Sequence, residues 1–433
     1  MTLPDEVRAA AAQIGRSVFL RIRDPEQLTD IEQPRPMVGV PALKWSALDT
    51  AFGDVGLAVA FGYMIRVEPD SGWDEAAHSY IARSAAVLET SPHVGLGLYR
   101  GISGLAFAMR YLSLRGQRYT RALGRVDSLL IDQSTATLDR LPDAGCTASD
   151  QYDLISGVVG VGAYLSTMTD APSAVSLLHR LLGHLVAWSG RSAPEGFWTS
   201  AGLVPEPGRP PEDSPVRCLD LGVAHGISGV LALLAICARH GVDVRGMQGA
   251  ADRLVTAIRH GLTETRWGPD VAYRSYESHP HHETSTPSRV AWCYGNLGVA
   301  RSLQLAGLAF SKPTWEQLAH QLVRSAIRRP PDVTRVSAPT FCHGQAGVLH
   351  LLTRFQDDLP FHDPLLTEYA GSCLRSVMGQ YDPQKPFGFS DFHPLTGPVD
   401  NPGLLEGAAG VALVLASLAG GVSPDWERLF LIG

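Results

Sequence analysis

Seven times along this chain a glycine is followed three residues later by a second glycine and then by an apolar, helix-forming run. The pairs are Gly53/Gly56, Gly101/Gly104, Gly157/Gly160, Gly226/Gly229, Gly295/Gly298, Gly344/Gly347 and Gly407/Gly410. Successive pairs stand roughly 50 to 70 residues apart, room for two helices and their connections. The runs after them, such as Val230-Leu231-Ala232-Leu233-Leu234 and Val411-Ala412-Leu413-Val414-Leu415, are apolar nearly all round, and such helices are normally buried. Between them lie stretches with charge on one face, among them Ile81–Leu88 and Trp315–Arg324, which read as outer helices. Strand signals are scarce, and the Pro205–Pro215 and Pro330-Pro331 segments read as loops. The expectation is an all-α fold, a seven-fold α/α toroid of inner and outer helices, forming one domain over residues 1–433. The small residues of each pair would let helix starts approach closely.

Composition agrees with a large buried core: 45% of the 433 residues are hydrophobic and 18% charged. The formal charge is −7 with no basic run, which argues against a nucleic-acid partner. No basic segment followed by an apolar stretch opens the sequence, so no signal peptide is expected. No apolar run reaches the roughly 18 residues of a transmembrane helix. The six cysteines are scattered and do not form a disulfide framework. Cys237 and Cys373 lie in helical stretches and read as buried free thiols, while Cys146 and Cys218 fit no single role.

If the repeats are equivalent, the residue before each first glycine falls at one end of the array. Those residues are Phe52, Arg100, Ser156, His225, Tyr294, His343 and Glu406, and Cys293 and Cys342 stand one position earlier than Tyr294 and His343. Two thiols and an imidazole from neighbouring repeats suit Zn²⁺, and three protein ligands leave a fourth position for water or substrate. Metal coordination deprotonates a thiol whose free pKa is about 8.5. Two thiolate ligands make the metal electron-rich, which favours a nucleophilic bound thiolate over hydrolysis. The same residues also fit two buried cysteines and a hydrogen-bonded histidine.

With Trp292-Cys293-Tyr294-Gly295 and Cys342-His343-Gly344-Gln345-Ala346-Gly347 in view, the chain resembles the lanthionine synthetase C-like family. Tyr99–Gly104, His225–Gly229 and Leu404–Gly407 extend the likeness over nearly the whole length. The resemblance implies one zinc per chain, held by Cys293, Cys342 and His343. It implies a zinc-dependent cyclase that adds precursor-peptide cysteine thiolates to dehydroalanine or dehydrobutyrine, giving lanthionine or methyllanthionine rings. It assigns His225 as the acid/base histidine, Asp153 and Arg289 as the active-site aspartate and arginine, and Tyr294 as the tyrosine beside the zinc. Arg289 would stabilise the developing enolate or orient Asp153 through an ion pair. The length is similar to that of the family's stand-alone cyclases. The implied partners are a dehydrated precursor peptide with its leader and, as further candidates, a lanthipeptide dehydratase and a transporter. The implied location is the cytoplasm, or the membrane face within such an assembly.

Two other readings stay open: a zinc thiol-binding scaffold or glutathione adduct-former, and a prenyltransferase-like thiol-alkylating enzyme. Arg100 and Glu406 either line the opening or cap helices. His279, His281, His282 and Glu283 read as an exposed loop rather than a second metal site. The aromatics of Lys385–His393 either line a peptide-binding surface or pin a long connection.

Overall fold

The computed structural model describes residues 4–33, 42–91, 93–113, 116–143, 145–190, 193–200, 217–277, 286–393 and 397–433. The Pro205–Pro215 segment and the His279–Glu283 cluster lie outside these residues.

Each of the seven glycine pairs opens a buried helix. These helices are Asp54–Val67, Ile102–Leu112, Val158–Leu165, Ile227–Arg239, Asn296–Phe310, Gln345–Asp357 and Ala408–Gly420. In every case the first glycine is the residue just before the helix. Only at Gly295 is its φ, +91°, in the region that favours glycine over other residues. The second glycine has a steric reason. A Cβ on Gly298 would clash with the carbonyl of Trp292, and one on Gly347 with the carbonyl of Phe341. At Gly56, Gly160, Gly229 and Gly410 the obstacle is likewise a carbonyl of the preceding loop. Close approach is therefore the reason for these glycines, as the sequence suggested, but the neighbour is the helix's own entry loop rather than another helix.

The partner helices carry charge on one face and apolar residues on the other. They are Asp5–Arg21, Trp73–Thr90, Thr120–Leu138, Pro172–Trp188, Met247–His260, Pro313–Ile327 and Pro364–Gly379. Pro at the first helical position starts three of them, where its missing N–H costs nothing. Short antiparallel strands fill some connections. Arg217–Asp220 lies between Trp198–Ser200 and Arg274–Tyr276, with Asp220 opposite Arg274. Pro331–Thr334, expected as loop, makes one helical turn.

The described chain packs as two compact units. One comprises residues 1–95, 99–127 and 337–426; the other 96–98, 128–336 and 427–433. Within each, entry loops of successive repeats are tied by backbone hydrogen bonds. In the first unit Cys342 N–H donates to Leu405 O (2.8 Å), Leu404 N–H to Ala51 O (3.0 Å) and Thr50 N–H to Tyr99 O (2.8 Å). In the second, Leu154 N–H donates to Ala224 O (3.2 Å) and Val223 N–H to Cys293 O (2.9 Å). All six cysteines are buried, which places Cys146 and Cys218 with Cys237 and Cys373. Among the described residues no helix is long and apolar enough to cross a membrane.

Candidate active site and metal ligands

The entry loops carry the chemistry because their backbones are held on both sides. In the second unit Asp153 folds its own loop: Oδ1 accepts from Ser156 N–H (2.7 Å) and Gly157 N–H (2.9 Å). Its other oxygen, Oδ2, lies 2.5 Å from Nδ1 of His225 in the next repeat. The Asp153 side chain is 1% exposed while that of His225 is 42% exposed, so the pair has a buried anchor and an accessible ring. Burial works against a charged imidazole, but Asp153 outweighs it, with smaller contributions from Asp220 and Cys293. The His225 pKa is raised above its ordinary value. Nδ1 is committed to the carboxylate, which leaves Nε2 for a proton in transit.

Cys293 follows in the fifth repeat. Its carbonyl accepts from Val223 N–H, and its predecessor Trp292 donates Nε1–H to Phe430 O (2.9 Å) beneath it. Tyr294 packs its ring 6.4 Å from that of His225 and 5.4 Å from that of Tyr273. Its hydroxyl donates to Asp220 Oδ2 (2.8 Å), an oxygen that also accepts from Arg274 Nε (3.1 Å). Burial first, and then the Asp220 charge, push the Tyr294 phenol well above its ordinary pKa, so it is a neutral donor. A side chain on Gly222 would collide with the Tyr294 ring, which accounts for the glycine there.

Arg289 is held at its backbone. Its N–H donates to Tyr273 Oη (2.9 Å). The preceding Ser288 is clamped by Asp270 and by Arg329, a buried ion pair at 2.7 Å. The guanidinium Nε is buried and has no hydrogen-bond partner among the described residues. Among the described residues Arg289 makes no ion pair with Asp153, whose carboxylate serves His225 and its own loop.

In the first unit Cys342 is buried and His343 half-buried. Nδ1 of His343 is 3.6 Å from Glu406 Oε1, and Glu406 Oε2 accepts from Gln33 Nε2 (2.6 Å). Arg100 pairs with Asp49, at 3.4 Å. The expected metal ligands are thus two buried thiols, Cys293 in the second unit and Cys342 in the first, and the half-buried imidazole of His343. That donor set fits zinc.

The second unit thus brings together Asp153, His225, Cys293, Tyr294 and Arg289. Asp220, Arg274, Tyr273 and Arg335 join them unforeseen by the sequence reading. Asp220 had a legible signal: it stands six residues before Gly226, as Asn401 stands before Gly407, and both accept from a loop glycine N–H. Tyr273 and Arg335 lie away from the repeat motifs and carry none.

The lanthionine synthetase C-like proteins are the family this chain matches. The model of that family matches residues 44–431, and the chain belongs to it. Nisin biosynthesis protein NisC of Lactococcus lactis subsp. lactis is 21% identical over 362 residues, spanning 82% of this chain and 81% of that protein. Among solved structures, nisin cyclase aligns over 99% of this chain and 98% of its own, with a TM-score of 0.75 and 18% identity. That likeness is one of fold, a helical toroid, and it bears out the all-α toroid expected from the glycine repeat.

Proposed function

We propose that this protein is a lanthipeptide cyclase. It joins cysteine thiolates of a dehydrated precursor peptide to dehydroalanine or dehydrobutyrine, forming lanthionine and methyllanthionine. Cys293, Cys342 and His343 would hold one zinc ion, which when bound supplies the Lewis acidity that turns a substrate thiol into thiolate. The observation that carries the reading is the 2.5 Å pairing of His225 with buried Asp153 in the repeat next to Cys293, in a chain of this family. Conjugate addition needs a proton taken from a thiol and one delivered to the α-carbon. An imidazole whose pKa is raised from near 6.5 can do both around neutrality. Negative charge grows on the carbonyl oxygen of the dehydro residue as sulfur attacks, and the guanidinium of Arg289, whose buried Nε has no hydrogen-bond partner among the described residues, would meet it. The peptide's leader, a dehydratase and a transporter are the partners this reading calls for, and the cytoplasm is its proposed location.

The test is mass spectrometry of a dehydrated precursor after thiol alkylation. Parent protein with stoichiometric zinc leaves no alkylatable thiol, whereas Cys342→Ala leaves the peptide uncyclised. Undiminished ring formation by zinc-free protein would overturn the reading.

A further inference from the structure

The two tyrosines that face each other beside Arg289 have opposite hydrogen-bonding polarity. A phenol has one O–H to give and lone pairs to accept with. Tyr294 gives its O–H to Asp220 at 2.8 Å, and Asp220 is only 2% exposed. Arg274 and the N–H of Gly222 hold that carboxylate in place, so it always presents an acceptor to Tyr294. Toward the site Tyr294 can only accept. Tyr273 is the reverse. Its oxygen accepts from Arg289 N–H at 2.9 Å and from Arg335 at 3.0 Å. Arg335 is itself tied to Pro287 O and has its guanidinium over the Tyr273 ring at 5.8 Å. Both lone pairs are occupied by donors, and among the described residues nothing accepts the Tyr273 O–H.

We propose that Tyr273 is a further catalytic residue: its O–H, with the Arg289 guanidinium, donates a hydrogen bond to the substrate carbonyl oxygen that becomes the enolate. This rests on the cyclase reading above. Sulfur forms a bond to the β-carbon, the C=C electron pair shifts to the carbonyl oxygen, and Tyr273 stabilises that oxygen without losing its proton. The α-carbon is then protonated by a separate acid. Tyr294 lines the same place as an acceptor, suited to a substrate N–H.

The experiment measures kcat and KM for ring formation by Tyr273→Phe, Tyr294→Phe and Arg335→Met. Bound zinc and melting temperature are followed for each. A single oxyanion donor is worth about 100-fold in kcat. Tyr273→Phe should lose about that much, with KM and zinc content unchanged, because the oxygen is charged only in the transition state. Tyr294→Phe should stay within about tenfold of the parent. Arg335→Met removes a donor to Tyr273 but leaves its O–H, so it separates donation from scaffolding and should lose clearly less kcat than Tyr273→Phe. A Tyr273→Phe rate within about threefold of the parent, or an equal loss in Arg335→Met, overturns the assignment. An inactive parent would instead sink the cyclase reading, so the two failures are distinct.

Discussion

Replacing Asp153 with asparagine separates the two jobs its carboxylate does. The amide oxygen still accepts from Ser156 and Gly157 N–H, so the entry loop keeps its fold. The amide nitrogen, however, is a donor where Oδ2 was an acceptor, and it faces Nδ1 of His225. The ring must then carry its proton on Nε2, the wrong nitrogen for a base that works through that atom. A hydrogen bond to a charged group contributes about 1.5 to 3 kcal/mol. His225 is 42% exposed, so solvent screening puts the expectation at the low end, about 1.5 to 2 kcal/mol, or about 10- to 30-fold in kcat. The pH dependence should move as well. Asp153 raises the His225 pKa, so in Asp153→Asn the limb governed by the imidazole shifts to lower pH. Stability follows the same sign: a raised histidine pKa stabilises the fold fully below about pH 6.5, and this is lost as pH rises through the folded-state value. The assay is kcat against pH for ring formation, with melting curves alongside. A pH profile superimposable on the parent's, at undiminished kcat, would refute the argument. Asp153→Ala also leaves the Ser156 and Gly157 N–H groups without their side-chain acceptor, so it should melt lower than Asp153→Asn by about 1 to 3 kcal/mol of stability.

Gly298→Ala should be strongly destabilising, by several kcal/mol measured in denaturant, because its Cβ falls on the Trp292 carbonyl and must displace the loop that holds Cys293. Gly183→Ala, in the helix Pro172–Trp188 with open space around it, should instead raise stability by about 0.5 to 1 kcal/mol. Arg83→Met leaves buried Asp54, 0% exposed, with only Trp45 Nε1–H as a side-chain donor (2.7 Å) among the described residues, so a loss of about 3 to 5 kcal/mol is expected by chemical denaturation. In Asp54→Asn/Arg83→Met much of that loss should return, since no buried charge is left uncompensated.

The glycine repeat was legible because its causes are local. A helix apolar on every face announces burial, and a glycine three residues into it answers to a carbonyl only a few residues upstream. The same locality made the ligand candidates Cys293, Cys342 and His343 and the loop residues His225 and Tyr294 visible, since they stand one or two residues before a glycine pair, while Asp153 was picked out only by the family resemblance. The outer helices were readable from their one-sided charge. The short strands were not, since Arg217–Asp220 and Arg274–Tyr276 are brief and pair across more than fifty residues of chain.

The sequence by itself determined the class of fold, the family and which side chains stand on the entry loops. Only the tertiary structure decided what each of those side chains is doing. Asp153 could have met Arg289 or His225, and the fold gives it to His225. Tyr294 gives its proton to Asp220, while Tyr273, which no motif marks, keeps its own. The reason is physical: periodicity fixes where a residue sits along its own helix or loop. The direction of a hydrogen bond depends on which partners arrive from other segments, and no spacing within one segment records that.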